Sequence, residues 1–296
     1  MIRRWEVGEC LPTASKFLAV CTLQRIDLEA CIEAFYGRRP SWLNGVADIS
    51  SVAASRLLAD HKGKRHLESL AHLTGFSRYQ LSRWVHAQSE PRLDEFLRVL
   101  DVCTQRLPDL IALLVAPERV PAIAEAWIRL ERARALAYEF PWSQAVLRAL
   151  EVETDPGSYN THLDFLAHKL GCPEETIVEA LQALEQAGQI VSNESGWVPN
   201  EVTHINTSKE STQARKVKAT WTRIALSRLE RGDPGFFGYT VFSVSQADLR
   251  KIRDLQLDYI RAIEGIITQS TRSECVGLLC VQLLDLASTD VNALTS

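Results

Sequence analysis

Ser77-Arg78-Tyr79-Gln80 is the stretch of this chain whose residue types and spacing suit the most specific chemistry. A serine followed three residues later by glutamine fits a capping box, in which each side chain satisfies a free amide of a helix's first turn. The helix so opened presents Arg78, Tyr79, Gln80, Ser82 and Arg83. Arginine can pair with the O6 and N7 of guanine, and glutamine with the N6 and N7 of adenine. Each good pair discriminates by roughly 1–3 kcal/mol. Lys62, Lys64, Arg65 and His86 fall where phosphate contacts are expected, and such contacts position a protein on a duplex without reading its sequence. With Ser77 at the cap, these residues form the candidate DNA-binding set.

Other chemistries lack their residues. The sequence holds no P-loop, dinucleotide glycine motif, G-x-S-x-G or H-E-x-x-H. Its glycine-rich loop 232–238 carries Pro234 and bulky Phe236-Phe237 and no phosphate-binding lysine. His162 and His168 lie off one helical face with no partner at ligand spacing, so no metal and no cofactor is expected. Trp142, Trp197 and Trp221 are expected in the core, not on a ligand platform. Catalysis is not expected. The seven cysteines, at 10, 21, 31, 103, 172, 275 and 280, are odd in number and never form C-x-x-C. They read as buried free thiols of a reducing compartment. The N-terminus has no signal-peptide pattern, and the apolar run 275–284 is too short to span a bilayer. A cytoplasmic protein without membrane contact is therefore expected.

The candidate residues need a brace. Residues 49–61 read as a helix with Val52, Ala53, Leu57 and Leu58 on one side. A short helix over 66–73, the turn Thr74-Gly75-Phe76 and a helix over 77–87 follow. Leu70, Ala71, Phe76, Leu81 and Trp84 supply the apolar crossing that holds a second helix for entry into a major groove. Helices over 92–103 and 107–115 complete a five-helix domain. Between Arg56 and Arg83 six basic residues stand against two acidic ones, inside a chain of net charge −4. A DNA-binding protein needs only its contacting face to be basic.

A repeat precedes this domain. An offset of 79 residues aligns Arg4-Trp5 with Arg83-Trp84, Pro12 with Pro91, Phe17-Leu18 with Phe96-Leu97 and Val20 with Val99. Only three residues stand before Arg4. The expectation is a chain that begins inside a repeat unit: either in-frame DNA upstream encodes roughly 25–35 further residues of a helix-turn-helix, or the first copy is decayed.

The pattern Leu70-Ala71-x3-Gly75-Phe76-Ser77-x3-Leu81-Ser82-Arg83-Trp84, with Pro91 and Phe96-Leu97 beyond it, resembles the XRE-type (Cro/repressor-like) regulators. The likeness covers about 49–115, and 4–36 as a partial second copy. It implies a DNA-binding transcription regulator in which Arg78, Tyr79 and Gln80 take the base-reading positions. The chain departs from the family at Leu67, where glutamine is usual, and at Val85 and Ala87, where glutamate and glycine are usual. The partial copy keeps both as Trp5-Glu6-Val7-Gly8.

Beyond Pro117 the residues 122–138 read as a spacer or dimerisation helix, its Arg129, Glu131, Arg132 and Arg134 forming a solvated face. Helices over 143–152, 163–170 and 174–187, then strands at 189–192 and 196–198, predict a winged helix. Its would-be recognition helix carries Glu174, Glu175, Glu179 and Glu185 and no cation, which would repel phosphates. A helix over 210–229, a strand at 239–244, a long helix over 246–269 and a buried strand at 275–284 predict a small α/β domain. Helix 210–229 is read as carrying Ala214, Val217, Trp221, Ile224, Ala225 and Leu229 on one face. Helix 246–269 is read with Leu249, Ile252, Leu255, Tyr259, Ile263 and Ile266 inward. From about residue 120, Leu181-x2-Leu184-Glu185-x2-Gly188, Tyr239-x2-Phe242-Ser243-Val244-Ser245 and Val281-Gln282-Leu283-Leu284 are similar to the "Fibrobacter major domain" regulators, a likeness that implies regulation.

The expected fold is mainly α. Its parts are the end of a first helix-turn-helix copy over 1–46, a complete XRE-type one over 47–118 and a spacer over 119–142. A winged helix over 143–200 and an α/β sensing or dimerisation domain over 201–296 follow. Expected partners are double-stranded DNA, a second copy of the chain and a small-molecule or protein effector. The two-faced apolar strand at 275–284 needs cover on each side, so 246–284 is favoured over the spacer as the dimer contact. The reading that competes is an adapter or ligand sensor whose helix-turn-helix no longer binds DNA.

Overall fold

The computed structural model describes residues 2–153, 159, 161–193, 196–200, 212–270 and 272–286. Among them the chain is mainly α, with fourteen α-helices and one two-stranded antiparallel sheet. It divides into two compact units, 1–125 with 259–268, and 126–258 with 269–296.

The first unit contains α1 (Ile2–Glu6), α2 (Ala14–Leu23), α3 (Leu28–Tyr36), α4 (Ile49–Lys62), α5 (Leu67–Thr74), α6 (Arg78–Val85), α7 (Leu93–Thr104) and α8 (Leu107–Leu114). Side-chain caps set the starts of several helices. Asp27 accepts from the Ala30 amide at α3, and Asp48 accepts from the Ser50 amide at α4. Each fills one of the free donors that a helix start leaves open. Helix α4 buries Ala53, Ala54, Leu57 and Leu58, a three-four spacing that puts all of them on one face. That face belongs to a single core shared by Phe35, Leu70, Leu81, Phe96 and Leu100.

The repeat is also structural. Ala14 and Leu93, which begin α2 and α7, are 79 residues apart, as are Leu28 and Leu107, which begin α3 and α8. The two copies meet at an antiparallel bridge between Thr13 and Arg92, again 79 apart. There the Ala14 amide donates to the Pro91 carbonyl at 3.0 Å, and the Leu93 amide donates to the Pro12 carbonyl at 2.9 Å. Matching residues thus exchange matching bonds, the signature of a local twofold axis.

The later elements are α9 (Pro121–Glu139), α10 (Trp142–Ala149), α11 (His162–Leu170), α12 (Glu174–Gln186), β1 (Ile190–Asn193), β2 (Gly196–Pro199), α13 (Thr212–Arg231) and α14 (Gln246–Gln269). Strands β1 and β2 pair from Ile190 opposite Pro199 to Asn193 opposite Gly196; residues 194–195 of their turn lie outside the described residues. Helices α10–α12 and β1 close a second core around Val146, Leu147, Phe165, Leu166, Ile177 and Leu184. Trp142 packs edge-on against Trp221 with ring centroids 5.6 Å apart, and Trp197 lies beside His162. The expected start of α13 at residue 210 lies outside the described residues, and Leu229 on that helix is exposed.

Several expectations for the C-terminal half are corrected. Residues 239–244 and 275–284 adopt no regular secondary structure and pair with no strand among the described residues, so the small α/β domain is not formed there. Alternation and apolar content report what a segment is fit to pair with; a strand exists only where a neighbour completes its ladder. Nor is the second segment buried, because Leu278, Leu279, Val281 and Leu284 are all exposed. On α14, Leu249 is buried, whereas Leu255, Tyr259 and Ile266 are 68%, 52% and 70% exposed. A stripe is covered only where another surface lies against it. Arg134 is not on a solvated face: it is buried, bonded to Glu131 at 2.6 Å, and stacked over Trp127. Of the cysteines, Cys21 and Cys103 are buried, but Cys275 and Cys280 are exposed. No helix among the described residues is long and apolar enough to cross a membrane.

Candidate nucleic-acid interface

Helix α5 ends at Gly75, whose φ of 75° is the left-handed conformation that a side chain resists. Thr74 tightens this turn, its hydroxyl donating to the Leu70 carbonyl at 2.7 Å and accepting from the Phe76 amide at 3.4 Å. Helix α6 follows after two further residues. Its Leu81 and Trp84 are buried, and Trp84 meets Phe76 edge-on at 5.1 Å between ring centroids. The Arg98 guanidinium lies 5.6 Å above the Phe76 ring. The turn is thus clamped by an aromatic pair and a cation, and the opposite side of α6 is left to solvent.

The capping box is formed. Ser77 Oγ accepts from the Gln80 amide at 3.2 Å, and Gln80 Oε1 accepts from the Ser77 amide at 3.2 Å and from the Ser77 hydroxyl at 3.0 Å. This engages the oxygen that Gln80 would need to pair bidentately with adenine. Gln80 therefore serves the helix start here, and a base contact through both of its polar atoms would have to open the cap.

The other candidates fall into three groups. Arg78, Tyr79, Arg83, Lys64 and His86 are exposed, Tyr79 to 80%. Ser82 and Lys62 are half-buried, the Lys62 ammonium donating to the Gly63 carbonyl at 3.1 Å. Arg65 is the exception and a correction. It is buried, and its guanidinium donates to the Cys103 carbonyl at 2.7 Å. That carbonyl belongs to the last turn of α7, where helical partners run out, so Arg65 closes a helix end and is withdrawn from any phosphate. Burial pushes the Cys103 thiol up, and the nearby Arg65 charge partly opposes it. Counting charges along the sequence could not separate this arginine from its exposed neighbours.

One partner was missed. Arg78 is paired with Glu68 of α5 at 2.8 Å, both side chains being about three-fifths exposed (62% and 61%). An exposed pair of this kind is worth only about 0–1 kcal/mol, so a guanine edge or a phosphate could displace it. The sequence signal was available: Glu68 is one of the two acidic residues within the basic stretch.

A second helix pair has the same plan. Helix α11 is capped by Thr161, ends at left-handed Gly171 with φ of 57°, and leads into α12. Glu174, Glu175, Glu179 and Glu185 are all exposed on α12, and Ile177, Ala180, Leu181 and Leu184 are buried. The surface of this pair is therefore acidic.

Residues 127–286 match the model of a protein family described as "Domain of unknown function (DUF4423)". The chain belongs to this family. The DUF4423 region contains the acidic pair α11–α12, the β1–β2 hairpin and the segments 239–244 and 275–284. The basic pair α5–α6 lies before it. No curated protein and no solved structure matches the chain.

Proposed function

We propose that this chain is a sequence-specific, DNA-binding transcription regulator acting in the cytoplasm, with α5–α6 as its helix-turn-helix and α6 as the helix that enters the major groove. The observation that carries this reading is the outer side of α6. A capped helix, braced through Leu81 and Trp84, exposes Arg78, Tyr79 and Arg83. Helices α4–α8 supply the five-helix frame of an XRE-type domain. In this reading Arg78 reads a guanine, Tyr79 packs on a neighbouring base or sugar, and Lys62, Lys64, Arg83 and His86 hold phosphates. Helices α10–α12 with β1–β2 serve as a winged helix used for protein contact, since its acidic helix repels a duplex. No cofactor, metal or catalytic step is assigned.

The test is selection of duplexes from a random library by the full chain, followed by titration across salt concentrations. One enriched motif is expected, together with a log–log salt slope of about −3 to −4 per chain, one unit for each phosphate held. Absence of enrichment and of salt-dependent binding would sink the reading. One observation favours the adapter alternative, namely the ion pair that holds Arg78 against Glu68. Glu68→Gln separates the two. It frees Arg78 and strengthens binding if the face meets DNA, and it leaves an adapter's affinity for DNA at background.

A further inference from the structure

We propose that residues 239–244 and 275–284 form an intermolecular β-sheet with the same segments of a second copy of this chain. No backbone amide or carbonyl of either segment is hydrogen-bonded to the backbone of another described residue. A segment of β-type side chains whose amides and carbonyls are unpaired among the described residues is a template for another strand. The two segments stand in the same condition.

Their side chains point to the same occupant. Phe236, Tyr239 and Val241 are 100%, 93% and 78% exposed, Leu284 and Leu286 are 69% and 84% exposed, and Phe237, Phe242, Val244, Leu278, Leu279 and Val281 are exposed as well. A fully exposed large aromatic carries roughly 150–250 Å², so the group offers on the order of 1,000 Å² of apolar surface. That exceeds the roughly 300–600 Å² of an ordinary monomer's largest patch and reaches the roughly 800 Å² per partner that a stable interface takes.

The segments are held in place at their polar ends. The Glu153 amide donates to the Ser273 carbonyl at 2.9 Å, Arg272 pairs with Glu153 at 2.6 Å, and the Lys169 ammonium donates to the Glu274 carbonyl at 3.0 Å. Gln282 donates to the Thr222 hydroxyl at 3.2 Å, and Gln246 donates to the Asp285 carboxylate at 3.4 Å. This last bond sets the C-terminal ends of the two segments beside each other, yet no ladder joins them.

A second copy fits these facts better than a foreign protein. It supplies two more segments of the same kind, and a twofold axis lets each chain close the other's open edges. Charge does not oppose self-pairing. The sequence from 234 to 247 and from 275 to 284 holds no Asp, Glu, Lys or Arg, the residues with which proteins ordinarily blunt an exposed edge.

The experiment uses the full chain at micromolar concentration. Its mass in solution is measured, and hydrogen exchange is followed at the amides of 239–244 and 275–284. The expected results are twice the 33.2 kDa of one chain and protection at both segments that disappears on dilution. The double variant Val241→Lys/Val281→Lys should raise the dimer dissociation constant by at least about a hundredfold, because it buries unpaired charge in the new sheet. Both valines are exposed on the separate chain, so the variant's melting curve should match that of the dissociated wild type. Should the variant fail to fold, exchange on the wild type decides. A monomer, a mass other than two chains, a dimer whose 239–244 and 275–284 amides exchange freely, or a folded variant that still dimerises overturns the proposal.

Discussion

Helix pairs α5–α6 and α11–α12 solve the same local problem with the same devices. Each opens or continues through a side-chain cap, each turns at a glycine of positive φ, and each buries one stripe of its second helix. Each unit also has a remote arginine that takes the free carbonyl of a helix end, Arg65 at Cys103 and Arg228 at Leu170. The difference that bears on a partner lies in what solvent sees, which is Arg78, Tyr79 and Arg83 on α6 and four glutamates on α12. Backbone plan decides that a helix can be offered to a partner, and the exposed charges decide which partner accepts it.

The largest expected effect comes from removing the basic side of that contrast. On a selected operator, Arg78→Ala should lower affinity by about ten- to a hundredfold, the 1–3 kcal/mol of one bidentate base contact. On random duplexes affinity and salt slope should change little, because a base reader neutralises no phosphate. Fluorescence anisotropy on both DNAs measures the ratio, and equal losses would remove Arg78 as a base reader. Arg65→Ala should behave in the opposite way. It removes a charged donor from the end of α7, so thermal unfolding of the chain should reveal a loss of about 2 kcal/mol. The salt slope of the fraction that stays folded should not move.

These two arginines show what was legible in the sequence and what was not. The order of helices, the Ser77–Gln80 cap and the turn at Gly75 are local, written in residues within a few positions of one another, and they were read correctly. The inward turn of Arg65 depends on Cys103 in α7, a contact that no spacing within one helix encodes. The same holds at 239–244 and 275–284. Their alternation and apolar residue types are local, whereas the neighbour that would complete a ladder is not a property of the segment, and the expected strands are not formed among the described residues. Gln80 was assigned a base while its residue type also suited a cap, and the cap is what the helix start uses.

Charging the acidic pair sharpens the comparison from the other side. Glu174→Lys with Glu175→Lys at the start of α12 should give the full chain added affinity for random DNA and a salt slope steeper by about two, without altering the selected motif. A changed motif would mean that α12 already lies against the duplex.

A smaller difference depends on pH. The α6 cap consists of neutral groups, Ser77 and Gln80, and does not titrate. At the start of α11, His162 Nδ1 accepts from the Trp197 amide at 3.4 Å, and burial holds the imidazole below its ordinary value. A depressed histidine means that the unfolded chain takes up its proton first. The stabilisation is complete above about pH 6.5, the ordinary imidazole value, and is lost as pH falls through the folded one. The protection factor of the Trp197 amide, its intrinsic exchange rate divided by the observed one, should therefore fall between pH 7.5 and 5, while that of Gln80 should stay constant. His162→Asn, which keeps an acceptor and cannot titrate, should flatten the Trp197 profile; a profile unchanged by that variant would discharge His162.

The smallest expected effect lies just past the end of α6. Ala87 has a φ of 55°, a conformation in which its Cβ crowds the backbone at a cost of roughly 1–2 kcal/mol. The residue 79 positions earlier is Gly8, with φ of 72°, so the two copies of the repeat share the turn and only the first has the residue that relaxes it. Ala87→Gly removes the crowding but frees the unfolded chain, which returns about 0.4–1 kcal/mol. The net gain should be about 0.5–1 kcal/mol, visible as a higher melting temperature of the full chain. Gly8→Ala should shift the melt the opposite way by a similar amount. Ala87 carries no polar side chain, so operator affinity should stay unchanged in Ala87→Gly. A gain in stability accompanied by weaker binding would mean that the strained turn fixes the angle at which α6 meets its partner, and would make Ala87 part of the interface.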